Sequence, residues 1–258
     1  IGLIAGAALS LVACGNKNND NTDASKEKFP EAVPTKAAKE GGTLKYAIET
    51  DTPFKGIFEG TLSTDSIDDT VSQFGNESLV GQDNNFMIKD GAAKFKLDNK
   101  AKTITFTLKK GVKWSDGKPV TAKDMEYPYE IIANPKSGSQ RYSTQLENIV
   151  GFKEFHEGKA KKISGLEMPK GENGNTLVIH FKEMYPGMNQ IGSGYFWKQA
   201  TPYHYLKDVP MNKLMSSDKI RKKPLFFGPY KIDKIVRGQS VTWSPNKYYY
   251  KGKPHIKK

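Results

Sequence analysis

The sequence predicts a mixed α/β fold built from many short strands, and three observations lead there. Two runs of strictly alternating apolar residues, Ala93/Phe95/Leu97 and Ile104/Phe106/Leu108, flank the turn-prone Asp98-Asn99-Lys100 and read as a β-hairpin. Stretches with the period of an amphipathic helix lie between the strand-like runs instead of forming a block of their own. No segment repeats at a fixed period, so solenoids and propellers are set aside.

Taken in order, the chain opens with an address. Residues 1–13, IGLIAGAALSLVA, are uncharged and apolar, the length of a signal-peptide core and short of the roughly 20 residues that a membrane-spanning helix needs. Leu11-Val12-Ala13-Cys14-Gly15 follows and resembles the lipobox of bacterial lipoproteins. That resemblance implies cleavage before Cys14, a diacylglycerol on its thiol, and a protein held at the extracellular face of the cell membrane. Two or three acyl chains anchor stably where one holds only marginally. The alternative is a buried apolar helix carrying an inert thiol. Neither Met nor a basic stretch precedes Ile1, so the sequence is expected to begin inside its signal. Residues 15–40 are dense in Asn, Asp, Lys, Ser and Pro and lack the large apolar residues that could offset ordering entropy; they read as a disordered tether.

The folded pattern, residues 41–258, starts at Gly41-Gly42-Thr43. Leu44, Tyr46 and Ile48 alternate as in a half-buried strand that ends at Thr50-Asp51-Thr52-Pro53. Ile67, Val71 and Phe74 fall on one face of a helix spanning about residues 65–74. After the hairpin comes a turn-rich stretch, residues 110–119, and then Thr121 and Asp124 with the spacing of a capping box. The helix they open buries Met125, Tyr129 and Ile132, and Pro128 inside it is expected to kink it. Residues 146–158 read as helical, and residues 176–181, TLVIHF, as a strand. A final pair of strands is expected at residues 230–236 and 240–243.

Composition removes several function classes. At 258 residues, 36% hydrophobic and 11% aromatic, the chain can bury a core. The net charge of +12 raises a nucleic-acid partner, but the lysines are spread along the chain and no nucleic-acid-binding motif accompanies them, so a solvated basic surface is the better reading. One cysteine excludes an intrachain disulfide and Cys-x-x-Cys chemistry. No G-x-S-x-G and no H-E-x-x-H occurs, and His156, His180, His204 and His255 are scattered. Neither a catalytic centre, a metal site nor a cofactor is expected.

Residues 103–124, TITFTLKKGVKWSDGKPVTAKD, resemble the signature of the family-5 solute-binding proteins, which serve dipeptide, oligopeptide and nickel importers. Residues 151–160 and 163–167 look like the Gram-positive oligopeptide-binding branch. Gly228-Pro229-Tyr230-Lys231, residues 236–239 and residues 245–249 resemble the closing segment of the family's first lobe; Phe227 departs from the small residue common there. The resemblance implies a class II periplasmic-binding-protein-like clamp, of which this chain is most of lobe one with its inserted subdomain, the second lobe being missing. It implies a monomeric, lipid-anchored substrate-binding component of an ABC transporter, with oligopeptides and the permease subunits as partners. The competing expectations are an orphan peptide-sensing or adhesion lipoprotein and an exported lipoprotein hydrolase.

By the family pattern Thr50, Asp51, Thr52 and Phe54 line the cleft, and Tyr142, Tyr195, Phe196 and Trp197 are further peptide contacts. For Asp51 the competing role is turn capping, and for the aromatic cluster it is ordinary core. Trp114-Ser115-Asp116-Gly117 is assigned to structure, Asp116-Gly117 as a turn and Trp114 as packing. With one jaw only, peptide binding is expected to be weak or undetectable.

Overall fold

A computed structural model of the chain describes residues 40–52 and 54–258. The expected signal and lipobox, residues 1–14 with Cys14, and all but the last residue of the expected tether lie outside the described residues. Along the chain the elements are α1 (Ser66–Ser72), β1 (Val80–Gln82), β2 (Ile88–Asp90), β3 (Ala93–Asp98), β4 (Thr103–Leu108), α2 (Ala122–Ala133), α3 (Phe152–His156), β5 (Leu166–Glu167), β6 (Thr176–His180), α4 (Tyr203–Leu206), α5 (Asp218–Arg221), β7 (Tyr230–Val236) and β8 (Ser240–Pro245).

The hairpin forms in the register that its alternation demands, with Ala93 opposite Leu108 and Phe95 opposite Phe106. It is extended by β6, which sets Ile179 beside Ile104 and Leu177 beside Phe106, and the antiparallel order is β3-β4-β6-β5. These central side chains are fully buried and share one core with Met125, Tyr129 and Ile132 of α2. Each such burial contributes roughly 1.5–3 kcal/mol. β7 and β8 form a separate two-stranded ribbon, as does the short pair β1 and β2, for which the sequence carries no strong alternation.

α2 starts at the expected capping box. The Thr121 hydroxyl accepts from the Asp124 N–H, and the Asp124 carboxylate accepts from the Thr121 N–H. The helix then runs unbroken through Pro128. Proline cannot donate to the carbonyl four residues back, and that carbonyl, on Asp124, instead accepts from the Thr201 N–H at 2.9 Å. The helix is buried on two faces, since Tyr127 and Ile131 join Ile57, Leu62, Leu206, Leu214 and Ile220 in a second apolar cluster. Its polar residues survive burial by pairing. Lys123 Nζ lies 2.7 Å from both Glu126 Oε2 and Glu130 Oε1.

The Trp114 motif is structural. The indole Nε1–H donates to Asp124 at 2.9 Å and the ring meets Phe227 edge-on at 5.1 Å. Asp116 Oδ1 accepts from the Lys118 N–H, and Gly117 takes φ +90 beside the Tyr248 ring.

Three expectations need correction. Residues 40–50 form no strand; Leu44 and Tyr46 are 57% and 58% exposed, because only the first few residues of the segment find a backbone partner. The expected helix at 65–74 is the shorter α1, and its buried face is the polar one, Asp68 and Ser72. Residues 146–158 are only partly helical, a short 3-10 turn followed by α3.

Candidate functional site

α1 organises the surface on which the expected contacts lie. Asp65 caps it, accepting from the Ile67 N–H at 2.9 Å. One turn on, the fully buried Asp68 carboxylate faces the incoming chain: Oδ1 accepts from the Lys55 and Gly56 N–H groups, each at 3.0 Å, and Oδ2 from Ile57 at 2.9 Å. Three charge-assisted bonds to consecutive main-chain donors hold residues 55–57 against the helix. They thereby set where the preceding turn emerges. The Ser72 hydroxyl donates back to the Asp68 carbonyl at 2.6 Å.

Ile67, Val71 and Phe74 line an open groove on the other face of α1. Its cavity volume is about 960 Å³, with Leu44, Tyr46, Ile48, Val241, Trp243 and Ile256 among its walls. Phe74 stands between Tyr46 and Trp243, ring centroids 5.7 and 6.1 Å away. Thr50, Asp51, Thr52 and Phe54 lie at one end. Thr50 Oγ1 closes their turn, accepting from the Thr52 N–H at 3.1 Å, so this hydroxyl does the capping that the sequence offered to the exposed Asp51. Phe54 meets Phe58 edge-on at 5.5 Å.

The remaining candidates fall in different environments. Tyr142 packs on His156 and Phe152, centroids 4.0 and 5.5 Å away, and its hydroxyl donates to Glu147 at 2.8 Å. Desolvation first, and the Glu147 carboxylate next, push its phenol well above the usual range. Phe196 is buried between Phe95 and Phe106, so of the two readings of this aromatic it takes the core one. Tyr195 stacks on the exposed Tyr185 with planes 18° apart. The Trp197 main-chain N–H donates to the Tyr129 hydroxyl at 2.9 Å, while its indole Nε1–H is buried without a partner among the described residues.

Arg141, which sequence reasoning missed, connects these parts. Its guanidinium sits 6.0 Å from the Trp197 ring centroid, donates through Nη2 to the Ser63 carbonyl at 2.8 Å, and lies 3.6 Å from Asp69 on α1. Only a planar fork serves a ring, a carbonyl and a carboxylate at once. The signal available was its rarity, one of three arginines among 40 basic residues. Beside it the buried Glu59 accepts from the Thr61 and Thr201 hydroxyls, both at 3.0 Å, and burial pushes its carboxyl upward. The four histidines pair separately, with Ala133, Glu167, Asp116 and Glu40. Among the described residues no three His, Cys, Asp or Glu side chains cluster as metal ligands.

Residues 87–258 match the family model described as bacterial extracellular solute-binding proteins, family 5 Middle. The chain is similar to the oligopeptide-binding protein OppA of Lactococcus lactis subsp. cremoris (strain SK11), 47% identical over 97% of this chain and 43% of that protein. OppA of Bacillus subtilis (strain 168) is 29% identical over 86% of this chain and 39% of the relative. Among solved structures it resembles lactococcal OppA complexed with an endogenous peptide in the closed conformation. That match has a TM-score of 0.78 and 46% identity, and covers 81% of this chain and 39% of the other. The oligopeptide-binding protein AppA of Bacillus subtilis, in complex with a nonapeptide, shares the fold at TM-score 0.62 and 24% identity, over 85% of this chain and 39% of that one. The chain thus spans less than half the length of the curated relatives it matches.

Proposed function

Because this chain belongs to the bacterial extracellular solute-binding proteins of family 5, we propose that it is part of a receptor that captures oligopeptides outside the cell for the permease of an ABC-type importer. The observation that carries this reading is the 47% identity, across 97% of the chain, to a protein named for oligopeptide binding. Cys14 serves as the lipid anchor, with more than one acyl chain for stable attachment. The receptor binds and releases its ligand without transforming it.

Capture of varied peptides calls for main-chain recognition, since the backbone is what all peptides share. The orphan indole N–H of Trp197 suits that task. A buried donor without an acceptor costs about 1–3 kcal/mol, which a ligand carbonyl recovers on binding. Arg141 holds the ring in place, and Thr50, Asp51, Thr52 and Phe54 contribute the turn pinned by Asp68.

The test is an NMR titration of the chain with a mixed oligopeptide pool at about millimolar concentration, where weak capture becomes visible. Resonances of Trp197 and of residues 50–54 should shift, the Trp114 indole should not, and Trp197→Phe should abolish the response. Shifts confined to other residues, or none at all, would overturn the reading.

A further inference from the structure

The first turn of α2, like that of any helix, has main-chain donors with no acceptor inside the helix. The Thr121 hydroxyl takes the one from Asp124. Two more are closed from outside: the Ala122 N–H donates to the Gly174 carbonyl at 2.7 Å, and the Lys123 N–H to the Glu172 carbonyl at 3.0 Å. Both acceptors belong to the turn between β5 and β6, and Asn173 stands between them. The turn closes through the Gly174 N–H, which donates to the Gly171 carbonyl at 3.0 Å. A Cβ on Gly174 would lie 2.7 Å from the Lys170 Cβ and 2.9 Å from the Lys170 carbonyl oxygen, so the close approach of the chain to itself admits only glycine there. Nothing comparable fixes residue 173. Asn173 is exposed, and no hydrogen bond among the described residues engages its side-chain amide. The neighbouring Asn175, by contrast, is tied at both ends, donating to the Leu108 carbonyl at 3.4 Å and accepting from the Thr176 hydroxyl at 3.1 Å.

We infer that Asn173 is a site of spontaneous covalent modification, deamidation through a cyclic imide closed by the Gly174 main-chain nitrogen, and that its product is read at the start of α2. Asn173-Gly174 is the only Asn-Gly pair in the sequence. Glycine carries no side chain to hinder the approach of its nitrogen to the preceding amide, and the packing against Lys170 makes that glycine obligatory. The turn opens first, because the Gly174 N–H is committed to Gly171, and the exposure of residues 171–173 leaves room for this. The Gly174 nitrogen then gives up its proton and bonds to Asn173 Cγ, while the Cγ–Nδ2 bond breaks and the amide nitrogen leaves as ammonia with that proton. Water opens the imide. Attack at Cγ restores the chain as aspartate; attack at the main-chain carbonyl carbon gives isoaspartate, whose backbone runs through Cβ. A water enters, an ammonia leaves, and nothing is oxidised or reduced. The two products act differently on α2. Aspartate places a negative charge beside a helix N-terminus, where the helix dipole favours it. Isoaspartate lengthens the backbone between the Glu172 and Gly174 carbonyls by a methylene, so the pair loses its fit to the Lys123 and Ala122 donors. The inference is independent of peptide capture.

The experiment holds the folded chain in mildly alkaline buffer, with the urea-denatured chain beside it as the measure of intrinsic reactivity. Both are sampled over time, digested and mapped by mass spectrometry, and isoaspartate is scored with an isoaspartyl methyltransferase. In the folded chain the peptide holding residues 171–175 should gain the mass difference between amide and acid, and the methyl label, ahead of every other asparagine. Asn173→Gln should remove the label with Tm unchanged. In the isoaspartyl fraction the Ala122 and Lys123 amides should exchange about tenfold faster or more, while Ile104 and Ile179 report whether the sheet is intact. Freshly prepared Asn173→Asp, which has the charge without the longer backbone, should keep the exchange of the unmodified chain. An Asn173 that stays intact in the folded chain while the denatured chain converts would overturn the inference. So would a label that persists in Asn173→Gln, or an isoaspartyl fraction with unchanged exchange at Ala122 and Lys123.

Discussion

Replacing Asp68 by alanine tests how the fold positions its loop. The substitution removes the single carboxylate that accepts from the main-chain N–H groups of Lys55, Gly56 and Ile57. Left dry, three orphaned donors would cost about 3–9 kcal/mol. The donors, however, sit on one short segment exposed at Lys55, and residues 54–57 can detach and rehydrate once the carboxylate is gone, at the cost of withdrawing the buried Ile57 from the second apolar cluster. The global loss is then capped at the cost of that detachment, about 3 kcal/mol, or about 6–12 °C in Tm for a unit of this size. The signature is therefore uneven. Hydrogen exchange should accelerate to near the unprotected rate at Gly56 and Ile57, while amides of β4 and β6 stay protected in proportion to global stability. Asp68→Asn, which keeps one acceptor oxygen, should fall between. Unchanged protection at Gly56 and Ile57 in Asp68→Ala would refute the claim that this carboxylate holds the loop.

Asp124→Ala orphans the Trp114 indole N–H and the main-chain donors of Thr121 and Tyr203, a loss of about 3–5 kcal/mol in urea unfolding, and Asp124→Asn should cost less because burial already disfavours the charge. Gly117→Ala combines a left-handed φ with a Cβ 2.8 Å from the Tyr248 ring, so a fall in Tm worth more than about 1 kcal/mol is expected, with Tyr248 displaced in the variant's crystal structure. Burial first, and the neighbouring Glu130 next, raise the Glu126 carboxyl from 4.5 to about 8. The folded state therefore binds more protons than the unfolded state across that window, and the stability this group contributes declines as pH rises through it. Glu126→Gln should accordingly lessen the fall in Tm between about pH 5 and about pH 8.5, and an unaltered pH profile would count against the reading.

Local pattern carried much of the fold. The hairpin of β3 and β4 was legible because alternation on both strands leaves one register that buries Phe106 and Ile104. The start of α2 was legible because Thr121 and Asp124 satisfy each other's main chain three residues apart. The turn at Asp116-Gly117 was legible for the same short-range reason. The candidate site was less so. Phe196 and Trp197 are adjacent aromatics with the same local appearance, yet one packs in the sheet core and the other, beside Arg141, keeps a donor without a partner among the described residues.

By itself, then, the sequence determined the mixed fold class, the hairpin, the capped helix, the structural role of Trp114 and membership of family 5. Tertiary structure decided what each pattern was for. It turned α1 so that Asp68 is buried and Ile67, Val71 and Phe74 face a groove, because three main-chain donors from residues 55–57 needed an acceptor more than the apolar face needed cover. It let α2 pass through Pro128 because Thr201, far along the chain, supplies the donor that proline lacks. Both outcomes rest on hydrogen-bond partners distant in sequence, and periodicity within a window of a few turns holds no record of them.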